Sequence, residues 1–279
     1  MSGRLRASIV VIGDEILSGH VRDANSGWLA ERLQAHGVPL DRVATVPDDE
    51  AAIGEHLDLE LARSRPRVLL TSGGIGSTPD DRTLPAIASF LGRALVPEPS
   101  LDAAVTQRLD ERAAAGRALD PAHAAALRSM ALVPEGASLI GAGGFSSAVA
   151  VDLAGGSDAT EGATIVVLPG IPGELQRITR EAVEPELLAG RGQPVHTEEL
   201  THPFPESLLT PTLARLTEQH PGLHVGSYPG SEVVVRLSGP REEVTAAMDE
   251  VRAAVAALAA EPQAREQAAS WAAYWEHGP

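Results

Sequence analysis

The chain contains no cysteine and no lysine. Without thiols, disulfides, thiolate nucleophiles and Cys-ligated zinc are all excluded. Without lysine, the 22 basic residues are all arginines, and lysine-dependent chemistry is excluded as well. No apolar run approaches the ~18 residues of a membrane span. Met1 to Arg6 leads straight into a β-pattern, without the apolar stretch of a signal peptide, so a cytoplasmic protein that does not enter a membrane is expected. Positive charge is scarce against 38 acidic residues, and the net charge of −16 argues against nucleic acid or an anionic membrane surface as a partner. The nine histidines are scattered and read as structural or surface residues.

What is present is a globular composition, 43% hydrophobic and 22% charged over 279 residues, enough for one large or two smaller domains. The first ~90 residues read β-α-β-α-β-α. Ile9 to Ile12 is an apolar run. A helix carrying Trp28, Leu29, Arg32 and Leu33 follows, with Asp23 and Asn25 offering caps and Gly37 closing it. Val38 to Val46 is a second strand. A helix with Ile53, Leu57 and Leu61 comes next, then a strand at Val68-Leu69-Leu70. This alternation predicts a parallel sheet with right-handed crossovers. In such sheets the ligand crevice lies beyond the carboxyl ends of the strands. Three loops fall there: Gly13 to Gly19, Pro47 to Glu50, and Ser72 to Thr83. Val166-Val167-Leu168 leading into Pro169-Gly170 predicts a fourth.

The third loop, Ser72-Gly73-Gly74-Ile75-Gly76-Ser77-Thr78-Pro79-Asp80-Asp81-Arg82-Thr83, organises the rest. Glycines between a strand and a helix let the backbone turn tightly and approach a ligand, and their N–H groups suit phosphate. Two adjacent carboxylates, Asp80 and Asp81, repel a phosphate unless a cation bridges them or they act on it, which points to phosphate-containing substrates handled with a divalent metal. A Gly-rich turn with an Asp cap explains the same residues with no ligand. Asp48 is equally readable as a helix cap, the roles of Asp80 and Asp81 are interchangeable, and Glu174 is a ligand or a first-turn charge.

Further along, Ala148 to Leu153 and Thr164 to Leu168 flank a turn-rich segment, Ala154 to Gly162. A helix runs from Pro172 to about Leu188. Arg191-Gly192-Gln193-Pro194 reads as a boundary. Beyond it a β-α-β-β-α pattern, with a hairpin at Pro229-Gly230, predicts a small α+β domain. The resulting division is 1–190, 193–260 and a helical tail, 261–279. The tail carries Trp271, Tyr274 and Trp275, expected to dock on the body or on a subunit partner.

These motifs, taken in order, resemble the molybdopterin-binding domain superfamily, and within it the competence/damage-inducible protein A family. The matching pieces are Gly13-Asp14-Glu15-Ile16-Leu17-Ser18-Gly19, Asp23 with Asn25, Val46-Pro47-Asp48-Asp49, Gly73 to Thr83, and Leu168-Pro169-Gly170-Ile171-Pro172-Gly173-Glu174, spanning residues 9 to 174. The resemblance implies an α/β three-layer sandwich with a mostly parallel sheet, plus the smaller α+β domain. It implies a small-molecule pterin or nucleotide phosphate as ligand, molybdopterin among the options, and a divalent Mg, Mn or Co. Metal-dependent hydrolysis of a phosphoanhydride such as ADP-ribose is the implied activity; molybdopterin adenylylation and non-catalytic binding are the alternatives, and a homo-oligomer is an open outcome. On the family pattern Asp48 and Asp81 hold the metal and support catalysis, while Gly73, Gly74, Gly76, Ser77 and Thr78 cradle phosphate. The wider substrate set is Gly13, Asp14, Glu15, Ser72, Asp80, Thr83, Pro169 and Gly170. The sequence departs from the family in three places. Ser77 replaces the usual Pro, the segment Leu139 to Phe145 lacks the usual Asn-Pro-x-Gly-x-Ala-Pro-Gly pattern, and the pyridine-nucleotide amidase domain is missing, so no amidase activity is expected.

Overall fold

Along the first strand, Ile9 and Val11 enter one apolar core while Val10 and Ile12 enter another. This period of two is what a strand covered on both faces requires. The computed structural model describes residues 4–153, 162–193 and 195–277. The turn-rich segment from Ala154 and the boundary residue Pro194 lie outside them, apart from Gly162. The chain divides into two compact units, Met1–Pro194 and Val195–Pro279.

The first unit runs β1 (Arg6–Ile12), α1 (Asp14–Leu17), α2 (Asn25–Ala35), β2 (Leu40–Val46), α3 (Glu50–Leu61), β3 (Arg67–Ser72), α4 (Thr83–Leu91), β4 (Leu95–Pro97), α5 (Pro99–Ala114), α6 (Pro121–Ser129), β5 (Leu132–Pro134), β6 (Ser138–Gly141), β7 (Ser147–Leu153), β8 (Ala163–Leu168) and α7 (Pro172–Ile178). Six strands form one sheet in the order β2-β1-β3-β8-β7-β6. The first four are parallel, and β7 and β6 are antiparallel. One face is covered by Leu29 and Leu33 of α2 with Leu175 and Ile178 of α7. The other is covered by Ile53 and Leu57 of α3, Leu84 and Ile87 of α4, and Leu101 and Val105 of α5. The architecture is a three-layer α/β sandwich around a mostly parallel sheet.

Several details depart from the pattern reading. The helix expected to run from Pro172 to about Leu188 continues beyond α7 as a π-helix, Thr179–Leu188, with Pro185 inside it. The strand pair β4–β5 and the edge strand β6 are too short for a periodic signal. The segment Leu139 to Phe145 is thus the end of β6 followed by a 3₁₀ turn at Gly144–Ser146. On α3, Glu60 rather than Leu61 is fully buried. It is held by Ser8 Oγ, Arg63 and Arg42 at the amino ends of the strands, where Arg67 also bonds Ser8 and Asp41.

The second unit has β9 (His196–His202), α8 (Thr210–Gln219), β10 (His224–Tyr228), β11 (Val233–Gly239), α9 (Arg241–Ala260) and α10 (Pro262–His277). Its antiparallel sheet has the order β10-β11-β9. It packs Val235 and Leu237 against Leu213 and Leu216 of α8 and against Val244, Met248 and Val251 of α9. His220 and His224, four apart, flank the Pro221-Gly222 turn and share no helix.

Candidate functional site

The strand register brings four loops to one edge. Ile12 pairs with Val46, Val11 with Ser72, and Ser72 with Leu168. The loops that begin at Gly13, Pro47, Gly73 and Pro169 therefore leave the carboxyl end of the sheet side by side. Backbone bonds stitch them together: Gly13 N–H donates to Val46 O at 3.1 Å and Gly73 N–H to Leu168 O at 3.2 Å.

The glycine loop is shaped by two positions. Gly73 and Gly74 have φ of +104° and +66°, the left-handed region where a side chain is strained. A Cβ at Gly73 would run into the carbonyl oxygen of Ile12, and one at Gly74 into Thr83 Oγ1. Thr83, buried at the start of α4, ties the loop back on itself: its N–H donates to Gly74 O at 3.0 Å and its hydroxyl to Gly73 O at 2.8 Å. Asp81 closes the tip of the loop. Its carboxylate accepts from Gly76 N–H at 2.5 Å, Thr78 N–H at 2.8 Å and Thr78 Oγ1 at 2.6 Å. Among the described residues, no acceptor bonds the N–H groups of Gly74, Ile75 and Ser77. The turn thus combines N–H groups with no acceptor among the described residues with two N–H donors already engaged by an internal carboxylate.

Asp48 stands beside this turn. Asp49, not Asp48, caps α3 by accepting from Ala52 N–H at 2.9 Å. That leaves Asp48 to accept from Asp14 N–H at 2.9 Å, and its Oδ1 lies next to Gly74. Burial holds the Asp48 carboxyl above its ordinary range. The Asp14 N–H works against that, and the charges of Glu15, Asp14 and Asp80 add to it. Of the adjacent pair on the glycine loop, Asp80 rather than Asp81 adds its charge at Asp48, after Glu15 and Asp14. Arg82 turns its guanidinium to Glu50 at 3.2 Å, in an exposed pair at the rim. Glu174 is an exposed residue in the first turn of α7.

Asn25 holds the edge together. It is 6% exposed, and its Nδ2 donates to Ser72 Oγ at 2.9 Å and to Gly170 O at 2.8 Å. The end of β3 and the loop after β8 are thereby fixed to the start of α2. The acceptor at Gly170 sets the orientation of the amide, since a flipped Asn25 would face it with oxygen. Asn25 Oδ1 is buried with no partner. The capping role shared between Asp23 and Asn25 in the pattern reading belongs to Asp23, which accepts from the N–H groups of Asn25 and Ser26 at 2.9 and 3.0 Å. The sequence does carry a signal for Asn25: it lies on the same i, i+4, i+8 stripe as the buried Leu29 and Leu33, where a polar residue needs a reason.

The residues expected from sequence to bind substrate or metal thus lie on the four loops or the strand ends that feed them. Asp48, Asp14, Glu15 and Asp80 share one negative region. Asp81 is directed into its own loop. Among the described residues, no group of three or more His, Cys, Asp or Glu side chains is disposed to hold a metal ion. The chemistry of the donors suits a cation that keeps most of its ligands from water and phosphate and takes one or two carboxylates from protein, as Mg²⁺ does. No helix among the described residues is long and apolar enough to cross a membrane.

Comparison with known proteins adds the family context. Residues 8–189 match the family described as "Probable molybdopterin binding domain". A "CinA-like protein" of Mycobacterium sp. (strain MCS) is 39% identical over 217 residues, which is 75% of this chain and 48% of that protein. The chain therefore spans about half the length of the mycobacterial relatives it matches. A protein of Aeropyrum pernix is 32% identical over 269 residues, 91% of this chain and 94% of its own length. Among solved structures, the protein CinA of Thermoplasma acidophilum, titled as having unknown function, superposes with a TM-score of 0.50 at 26% identity, covering 64% of this chain and 96% of that one.

Proposed function

The chain belongs to the molybdopterin-binding domain family, and from that premise we propose that the carboxyl edge of its sheet binds a pterin or nucleotide through its phosphates and hydrolyses a phosphoanhydride such as that of ADP-ribose. The observation that carries this reading is the juxtaposition at Gly74. A turn offering backbone N–H groups to an anion lies beside the Asp48 carboxylate and the charges of Asp14, Glu15 and Asp80. Phosphate and carboxylates repel one another at such range, and a divalent cation would reconcile them by supplying charge neutralisation and activation of water. Asp48 and a carboxylate of the adjacent Asp80 and Asp81 would be the protein groups to hold it. The glycine loop orients the phosphates, Asp48 takes the proton of the attacking water, and Asn25 keeps the loops from shifting. Exposed Leu17 and Ile171 on two of the loops suit the apolar faces of a pterin or adenine ring.

A second reading, binding without turnover, is favoured by one observation: both oxygens of Asp81 are engaged within its own loop. Incubating the purified chain with ADP-ribose and Mg²⁺, Mn²⁺ or Co²⁺ separates the two. AMP release that requires the cation supports hydrolysis. Saturable binding with no AMP over many hours leaves binding alone, and molybdopterin and ATP then become the pair to test for adenylyl transfer.

A further inference from the structure

Aromatic residues are rare in this chain, with three Trp, two Tyr and three Phe in all, yet three of these eight line one groove in the second unit. Trp271, Tyr274 and Trp275 stand on α10 opposite Pro205 and Pro229, with Gln263, Gln267 and Glu266 along the same helix. The groove has a volume of about 980 Å³. Trp271 is fixed by its indole N–H, which donates to Gly230 O at 2.9 Å. The rings of Tyr274 and Trp275 meet edge to face, 6.0 Å apart at 88°, so they present two faces at right angles. Among the described residues neither ring is covered: Tyr274 is 48% and Trp275 45% exposed, so of the two expected outcomes, docking on the body or on a partner, the body does not bury these two.

We propose that this groove binds a short basic segment of a partner polypeptide, with a guanidinium or ammonium group against the Tyr274 and Trp275 faces. The ring quadrupole attracts a cation. Among the described residues that line the groove, Glu266 is the only charged one, and its sign favours a cation. Gln263 and Gln267 each offer an amide donor and acceptor, the pair a peptide backbone requires. From Gln263 to Trp275 the helix rises about 18 Å at ~1.5 Å per residue, the length of about five extended residues. A second copy of this chain, with a net charge of −16, is a poorer occupant beside Glu266 than a basic segment.

The test is a tryptophan-emission titration of the full chain with an acetylated, amidated hexapeptide, Gly-Arg-Pro-Arg-Pro-Gly. Its controls are the same peptide with Glu in place of Arg, and free arginine amide. The expected result is saturable binding at least tenfold tighter than either control, weaker as salt rises from 50 to 300 mM. It should fall at least tenfold in Tyr274→Ala, be restored by Tyr274→Phe, and fall severalfold in Glu266→Gln, with circular dichroism unchanged. No saturation by 1 mM, equal binding of the acidic peptide, or unchanged binding in Tyr274→Ala overturns the proposal. Free arginine amide binding as tightly as the peptide overturns the polypeptide source. Light scattering that shows a dimer, turned to monomer by Tyr274→Ala with no peptide bound, assigns the groove to a second copy instead.

Discussion

Asn25 offers the sharpest handle on how the edge is held, because the two obvious substitutions should differ in a definite order. Asn25→Ala removes both Nδ2 bonds, to Ser72 Oγ and to Gly170 O, each worth about 1 kcal/mol net. It leaves Ser72, itself almost fully buried, with only a long contact to Pro169 O at 3.5 Å. The loss is partly offset, since Asn25 Oδ1, buried without a partner, goes too. The balance is a destabilisation of roughly 2 kcal/mol. Asn25→Asp keeps the shape but, ionised, has no donor, and it sets a carboxylate against Gly170 O in a buried position. Either the carboxyl stays protonated or an unpaired charge is buried, and the loss is about 4 kcal/mol. Trp28, on the first turns of the same helix, serves as the reporter once Trp271→Phe and Trp275→Phe silence the other two indoles. Urea unfolding in that background should rank the stabilities wild type, then Ala, then Asp. If Asp is no worse than Ala, or Ala loses less than about 0.5 kcal/mol, the three-way tie is not what holds these loops.

Asp48→Asn should trade function for stability: relief of the like charges around a half-buried carboxyl raises the melting temperature by about 1–2 °C, while ADP-ribose turnover falls more than tenfold, over ~1.4 kcal/mol. A scan that shows both falling together would make Asp48 a structural acceptor. Asp41 is held at about 2, chiefly by its bond to Arg6, below the ordinary 3.8 of the unfolded chain. Its contribution, up to about 2 kcal/mol, is fully present above pH ~4 and lost as pH falls through about 2; Asp41→Asn should flatten that part of a stability–pH curve. In the second unit His202 is buried, which lowers its pKa below 6.5. The fold therefore favours its neutral form, and stability present above pH ~6.5 declines on acidification, a slope that His202→Phe should remove as read by melting temperature between pH 7.5 and 5.

The parallel half of the sheet was legible because its strands are continuous apolar runs separated by amphipathic helices, a pattern long enough to average out local noise. The meeting of the loops at Gly13, Asp48, Gly73 and Gly170 followed from topology alone, since parallel strands with right-handed crossovers put those loops on one edge. What sequence did not resolve were choices between neighbours. Asp48 and Asp49 are equivalent as letters, and only the trajectory of the chain into α3 makes Asp49 the cap. The same holds for Asp80 and Asp81, where the turn of the backbone at Gly73 and Gly74 decides which carboxylate folds inward. The π-helical bonding of Thr179–Leu188 widens a helix without erasing its apolar stripe, so periodicity could not show it. Asn25 and Glu60 were within reach, each a polar residue on a buried stripe beside Leu29 or Leu57. Their partners come from 47 and 52 residues away, a distance no local pattern spans.

The inward fold of Asp81 leads to a prediction with a change of sign. Its carboxylate occupies the N–H groups of Gly76 and Thr78, the same kind of donor that a phosphate would seek in this turn. Asp81 and an anionic ligand therefore compete for the loop, and a divalent cation that attracts Asp81 would release those donors as it neutralises the ligand. Cation and phosphate binding should be positively coupled, and by linkage each must raise the affinity of the other by the same factor. Asp81→Asn keeps an oxygen acceptor and the shape of the loop but removes the charge. In the presence of EDTA its affinity for pyrophosphate should rise severalfold over wild type, because the competitor is weaker. With Mn²⁺ present its affinity should fall below wild type by about tenfold or more, near 1.4 kcal/mol of lost coupling. Titration calorimetry in the two buffers measures both arms on the same samples. A variant that binds pyrophosphate more weakly in both buffers would show that Asp81 only shapes the turn, and one unchanged in both would place the anion elsewhere on the edge, with Arg82 the nearest candidate.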